Sequence, residues 1–228
     1  MTEPKSTFVD RTIAALHRSS GMAGSESVVY VALGDSVTAG WLEHGVLDSD
    51  AAYPALFRRR LAGLFPQSML SVVNAGLGGD NVSGVSARLE RDCLRHDPHL
   101  VTLCLGLNDS RAGTIGVPDF HAGLSGLVER IQTGSRADVL LITPNTRGDA
   151  LQEDGTLPAY VRAIRAVGRE RGVGVADVHA VYQGAIRMGA LPVDLLSNRV
   201  SHPTRAGHEI FANQLIRFFQ PRVPGANS

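Results

Sequence analysis

Short, uninterrupted apolar runs recur along the chain, separated by longer stretches in which apolar residues return every three or four positions. Five such runs are VVYVAL at 28–33, MLSVVN at 69–74, LVTLCL at 100–105, VLLIT at 139–143 and VGVAD at 173–177. Runs of this length without polar alternation suit strands buried on both faces, as in a parallel sheet. The intervening stretches read as amphipathic helices: Leu56, Phe57, Leu61 and Leu64 share one helical face, and Val85, Leu89 and Cys93 a second. Leu124, Leu127, Val128 and Ile131 mark a third face and Val161, Ile164 and Val167 a fourth. A last helix follows Pro203, with Phe211, Leu215 and Phe218 inward.

Strand and helix alternating in this way imply right-handed crossovers and helices packed on both faces of one sheet. The pattern predicts an α/β protein, a three-layer α/β/α sandwich around a five-stranded parallel sheet with flavodoxin-like architecture. A chain of 228 residues, 43% of them hydrophobic, supplies one substantial core. That domain is expected to span 28–220, after an N-terminal helix and Gly/Ser connector at 1–27 and before a short tail at 221–228. The one long polar loop, NTRGDALQEDGTLP at 145–158, is expected to border a substrate site.

Charge and composition then remove classes of partner. Lys plus Arg and Asp plus Glu balance at 22 each, so no net field holds a nucleic-acid backbone or an anionic membrane, and a small-molecule substrate is the expectation. No run reaches transmembrane length, and the first 27 residues lack the continuous apolar core of a signal peptide. The expectation is a cytoplasmic protein without stable membrane association. Cys93 and Cys104 lie far from any CxxC spacing, inside apolar patterns, and read as small hydrophobes rather than disulfide partners or metal ligands. No GxGxxG at a strand-to-helix junction and no P-loop calls for a cofactor. His96 and His99 with Asp97 would form a metal site only from a shared helical face, which Pro98 opposes, so no metal is expected.

In an open parallel sheet, ligands bind beyond the carboxyl ends of the strands. Four polar clusters follow the runs there: Gly34-Asp35-Ser36, NAGLGGDN at 74–81, GLNDS at 106–110 and SNRVSHPTRAGH at 197–208. Each alone is ordinary turn chemistry. In this order and at these places they resemble the SGNH hydrolases, the GDSL-type esterase and lipase family, from Val28 to the end of the last helix. The family's four marker residues fall on Ser36, Gly76, Asn108 and His202, and Trp41 with Tyr53-Pro54 resembles its first-helix region.

The resemblance implies a serine esterase that hydrolyses small carboxylic esters, short-chain acyl or O-acetyl carbohydrate, through an acyl-enzyme intermediate. Ser36 would be the nucleophile, needing a base of near-neutral pKa in hydrogen-bond reach. His202 fits best, because Pro203 constrains the backbone beside it. His96 and His99 precede the third strand at the opposite end of the sheet, His208 falls inside the last helix, and His17, His44, His121 and His179 have no accompanying motif. The backbone N–H groups of Ser36 and Gly76 and the side-chain amide of Asn108 would face the oxyanion. Asp35 and Asp109 are expected to hold their loops through backbone hydrogen bonds.

One family feature is missing. The aspartate commonly found three residues before the histidine is Arg199 here, leaving Asn198, Asp194 or a main-chain carbonyl to orient the imidazole. A Ser36–His202 dyad with auxiliary support is the expectation. Two other readings compete: a noncatalytic flavodoxin-like binding protein, and a lysophospholipase or thioesterase using the same residues. The aromatic content of 5% and the lack of a large apolar lid argue against long-chain lipids. No GxSxG nucleophile elbow is present.

Overall fold

The computed structural model describes residues 8–20, 27–42, 45–148 and 155–220. His44 and part of the polar loop at 145–158 fall outside them, as does the tail at 221–228. In chain order the elements are α1 (Asp10–Arg18), β1 (Val28–Gly34), α2 (Ser36–Ala39), α3 (Tyr53–Leu64), β2 (Leu70–Gly76), α4 (Val82–Asp92) and β3 (Leu100–Cys104). There follow α5 (Val117–Gly134), β4 (Asp138–Ile142), α6 (Thr156–Arg171), β5 (Gly174–Ala176), α7 (Val178–Arg187) and α8 (Arg205–Ile216).

All five strands are parallel, in the order β2-β1-β3-β4-β5. Side chains alternate across each strand, which divides the apolar residues between two cores. Tyr30, Ala32, Leu100, Cys104, Leu140 and Ile142 face α1, α3, α7 and α8. Val31, Leu33, Val101, Leu103, Val139 and Leu141 face α4, α5 and α6. Strands β1, β3 and β4 thus lie between two helical layers, which is why their sequence carries no polar alternation. At about 1.5–3 kcal/mol for each large aliphatic or aromatic side chain removed from water, these two layers dominate the stability of the fold. Both cysteines are free and buried, Cys93 in one core and Cys104 in the other.

Three local expectations are corrected. The run at 69–74 was expected to be buried on both faces, but β2 is an edge strand with mostly half-buried residues and Met69 is 48% exposed. An apolar run reports low polarity, not the number of neighbouring strands. Leu64, in the last turn of α3, is 43% exposed, and Phe218 lies beyond the end of α8, half-buried against the first core. The N-terminal helix does form, as α1, and is fastened to the amino-terminal edge of the sheet. Thr12 N donates to Asp138 Oδ2 at 2.7 Å, and the Thr12 hydroxyl lies 2.8 Å from the same oxygen.

The chain runs from β1 outward to β2 and then returns to the other side of β1 to form β3. This reversal opens a crevice beyond the carboxyl ends of β1 and β3, where connecting loops diverge. Residues following β1 and β3 therefore meet across the crevice. Among the described residues no helix is long and apolar enough to cross a membrane.

Candidate active site

Strand β1 ends at Gly34 against the Cys104 carbonyl and Thr38, with no room for a Cβ. Asp35 then caps the single-turn helix α2: its backbone is extended, and Oδ1 accepts from Val37 N at 2.9 Å. Ser36 is the first residue of that turn, so its hydroxyl projects from the rim of the sheet. Gly40, at φ 98°, ends the turn in the left-handed region that glycine tolerates.

His202 reaches the same place from a loop between the 3-10 turn Pro192–Leu195 and α8. The side-chain oxygen of Asn198 organises that loop by accepting from three backbone amides, Val200 N (3.0 Å), Ser201 N (2.8 Å) and His202 N (2.8 Å). Ser197 N donates to His202 O at 2.8 Å, and Gly148 N to Val200 O at 2.8 Å, clipping the loop to the segment after β4. The result is a distance of 2.9 Å between His202 Nε2 and Ser36 Oγ, across 166 residues of sequence.

Of the three orienting groups left open by the sequence, two go elsewhere. Asn198 bonds the loop backbone, and Asp194 Oδ2 accepts from Leu191 N at 3.1 Å at the start of its own turn. The main chain of Leu42 lies near the imidazole and favours its charged form. With Nε2 facing Ser36, Nδ1 is the ring nitrogen turned away from the serine. Burial holds the His202 pKa below its ordinary 6.5, and the Leu42 main chain pulls the other way.

These placements separate two substitutions. Asp194→Ala is expected to leave kcat/KM within about twofold of wild type, since a surface turn bond is all it removes. Asn198→Ala releases three amides beneath the imidazole and is expected to lower kcat by roughly 10- to 100-fold through misplacement of the ring. Steady-state kinetics on both variants checks this, and equal effects would remove the distinction.

The N–H of Gly76, expected to face the oxyanion beside Ser36, is engaged within its own strand. Gly76 donates its N–H to Asn74 Oδ1 at 3.0 Å, and its α-carbon packs against the backbone of Ala39, so a side chain there would overlap α2. Its role is close passage of β2 beneath the serine turn. Two residues further on, the chain turns at Leu77–Asp80, with Asp80 N donating to Leu77 O at 3.1 Å and Gly79 at φ 77°. Gly78 and Gly79 line the cleft with Ser36, Trp41, Asn108 and His202, a space of about 720 Å³. Among the described residues no acceptor meets the N–H of Ser36 or of Gly79.

Asn108 follows β3 and lies across the crevice. Its amide nitrogen donates to Asp35 Oδ2 at 3.1 Å and to Asp80 O at 3.0 Å. Burial, with the charges of Asp109 and Asp80 adding, pushes the Asp35 carboxyl up to about 7, while the Val37 amide pulls it back. Asp109 accepts from Val82 N at 2.9 Å and Gly106 N at 3.0 Å, tying the first turn of α4 to the end of β3. Burial raises its pKa as well, against those two amides.

Sequence reasoning missed a cation beneath this network. Arg88, only 8% exposed, donates to Asp80 Oδ2 (2.7 Å), Asp92 Oδ2 (2.9 Å) and Gly34 O (3.1 Å), joining α4 to the end of β1. Its signal was present: Arg88 sits on the inward stripe with Val85 and Leu89. The remaining described histidines are away from the cleft. His99 Nδ1 accepts from Val29 N at 3.2 Å at the opposite end of the sheet, His208 is buried in α8 with its pKa pushed down to about 4, and His121 pairs with Glu170.

A serine and a histidine in hydrogen-bond contact at the switch point of a parallel sheet define a hydrolase of esters or related acyl groups. The chain belongs to the GDSL-like lipase/acylhydrolase family, whose pattern matches residues 32–210, and is a carboxylic ester hydrolase. Acetylxylan esterase of Geobacillus stearothermophilus is 25% identical over 170 residues, 69% of this chain and 75% of that protein. The crystal structure of an acetylxylan esterase from the same organism matches 87% of this chain and 95% of its own, with TM-score 0.71 and 24% identity. An α/β hydrolase from the metagenome of Lake Arreo, Spain, covers 87% and 97% at TM-score 0.71 and 25% identity. A lipase/acylhydrolase from Enterococcus faecalis covers 83% and 94% at TM-score 0.69 and 24% identity.

Proposed function

We propose that the enzyme cleaves small acyl esters, acetyl esters of carbohydrates among them, with Ser36 as nucleophile and His202 as its base. The 2.9 Å contact between Ser36 Oγ and His202 Nε2 at the mouth of the cleft carries this reading. His202 takes the serine proton as Oγ attacks the ester carbonyl, and returns it to the departing alcohol. Water then attacks the acyl-serine with His202 again as base, releasing the acid and restoring Ser36. The nearby main chain of Leu42, which favours the charged ring, supports the imidazolium in place of the carboxylate of a triad.

The tetrahedral oxyanion has three candidate donors: the N–H groups of Ser36 and Gly79, and the Asn108 amide. Donation by Asn108 exchanges its longer bond, to Asp35, for the substrate oxygen. A carboxyl whose pKa lies at about 7 is in part protonated at neutral pH and is then a weaker acceptor, which favours that exchange. A cleft of about 720 Å³ suits a small ester. The relatives that act on acetylxylan support the acetyl group as the acyl part, and membership of a hydrolase family sets aside a noncatalytic binding role.

Two measurements test the reading. A fluorophosphonate should label Ser36, located by mass spectrometry, and an intact unlabelled serine in folded enzyme removes the nucleophile assignment. Because burial lowers the His202 pKa, the base form persists into mild acid. The acid limb of kcat/KM for 4-nitrophenyl acetate should therefore have its midpoint below 6.5, and a midpoint above 6.5 contradicts a buried imidazole as the base. Comparing acetate, butyrate and octanoate esters with an acetylated xyloside separates a short-chain esterase from a lysophospholipase.

A further inference from the structure

The cleft holding Ser36 and His202 is also lined by Arg111, Arg147 and Arg199, and by no aspartate or glutamate among the described residues. This is a local excess in a chain whose formal charges cancel. Other arginines are spent on carboxylates: Arg60, Arg88, Arg91, Arg165, Arg171 and Arg205 all form ion pairs, whereas the three in the cleft form none among the described residues. The acids nearest the reacting atoms lie behind them rather than in the cleft. Asp35, buried beside Ser36, accepts from the Val37 and Asn108 amides, Asp80 is paired with Arg88, and Asp109 is occupied by the amides of Val82 and Gly106.

Arg147 is the best prepared of the three. It is half-buried, and Nη2 donates to Leu107 O at 3.2 Å and to Ser110 Oγ at 2.7 Å. Both acceptors are neutral, so they hold the guanidinium in place without cancelling its charge, while among the described residues Nε and Nη1 meet no acceptor and are left for a ligand. A fixed planar fork of this kind recognises carboxylate or phosphate oxygens in pairs. Its neighbour Gly148 is bonded to Val200 on the histidine loop, so the fork keeps a set position relative to His202. Arg199, on that loop, and Arg111, on the turn after β3, are exposed and add attraction over a longer range.

We infer that the ester cleaved here carries an anionic group, a carboxylate or a phosphate, that Arg147 binds while Ser36 attacks the carbonyl. Arg111 and Arg199 steer that group into the cleft. The inference rests on Ser36–His202 catalysis and leaves its bond changes as described above. Asp149, Glu153 and Asp154 fall outside the described residues, and the test uses the whole chain so that any charge they bring is included.

The test compares kcat/KM within matched pairs at low salt. In 4-acetoxybenzoate and its methyl ester the charge sits on the leaving group; in 4-nitrophenyl hydrogen succinate and its methyl ester it sits on the acyl part. 4-Acetoxyphenyl phosphate examines phosphate in place of carboxylate. At least one anionic substrate is expected to exceed its neutral partner by roughly 10- to 100-fold, the range for a charge-assisted pair of hydrogen bonds. The preference should shrink in 0.5 M salt and in Arg147→Gln, and fall partly in Arg111→Glu, whose exposed position leaves folding intact. Neutral substrates turned over as fast or faster, in an enzyme that a fluorophosphonate labels at Ser36, overturn the inference while leaving the esterase reading standing. A preference that both variants leave unaltered overturns it too. Absence of both labelling and turnover overturns the inference and the catalytic reading together.

Discussion

Ser36→Ala is expected to lower kcat/KM for 4-nitrophenyl acetate by roughly 10⁴- to 10⁶-fold, the scale on which hydrolases lose activity when the nucleophile is removed. The size of the effect follows from the division of labour in the cleft. Without Oγ no acyl-enzyme forms, and His202 is left facing water that is neither fixed nor activated by a second group. Stability should change little, because among the described residues the only side-chain partner of the Ser36 hydroxyl is His202 at 2.9 Å, and the turn itself is built by Asp35 and Gly40. Thermal unfolding of the variant should therefore overlay that of the wild type. Activity within tenfold of wild type would place the nucleophile elsewhere.

Asn108→Ala is expected to reduce kcat by about 10²- to 10³-fold with a much smaller change in KM, as loss of one oxyanion donor does. A kcat effect without a KM effect arises because the substrate carbonyl oxygen is neutral in the bound ester and becomes charged only as the tetrahedral centre forms. The variant has a second consequence. Removing the amide takes a donor away from Asp35, whose carboxyl is 2% exposed, so the charged form of that acid becomes harder to hold. If Asn108 serves only to tether Asp35 and the Asp80 carbonyl, the substitution should lower the melting temperature and raise KM along with lowering kcat. The two outcomes separate a donor from a brace.

Much of this arrangement was legible before any coordinates. The β1, β3 and β4 runs, the inward faces of α4, α5 and α6, and the convergence of Ser36, Asn108 and His202 on one edge follow from apolar periodicity and from the places where polar clusters interrupt it. What was not legible has definite physical reasons. Gly76 and Gly79 belong to one glycine-rich stretch, and which of them meets the cleft depends on where β2 stops, a matter of two or three residues that composition does not decide. The group that favours the charged His202 ring is the main chain of Leu42, and every residue carries such a group, so no side-chain signature marks it. Asn198 sits where an acid would be expected near the histidine, yet its oxygen is directed at backbone amides by a loop geometry visible only in three dimensions. Arg88 is hidden for the opposite reason: it is a charge on an apolar stripe, and of the two carboxylates that neutralise it the buried one, Asp80, is eight positions back in sequence, outside the helix.

The segment carrying His202 is secured to the rest of the molecule by polar contacts: the Asn198 hub, the bridge between Leu196 and Pro203, and the clip from Gly148. Ser36, by contrast, issues from the central region of the sheet, between two apolar layers. One half of the proposed catalytic pair therefore rides on a local structure that can open at small free-energy cost while the other is as durable as the whole domain. Mild warming or dilute urea should silence the enzyme reversibly, well before its helices melt.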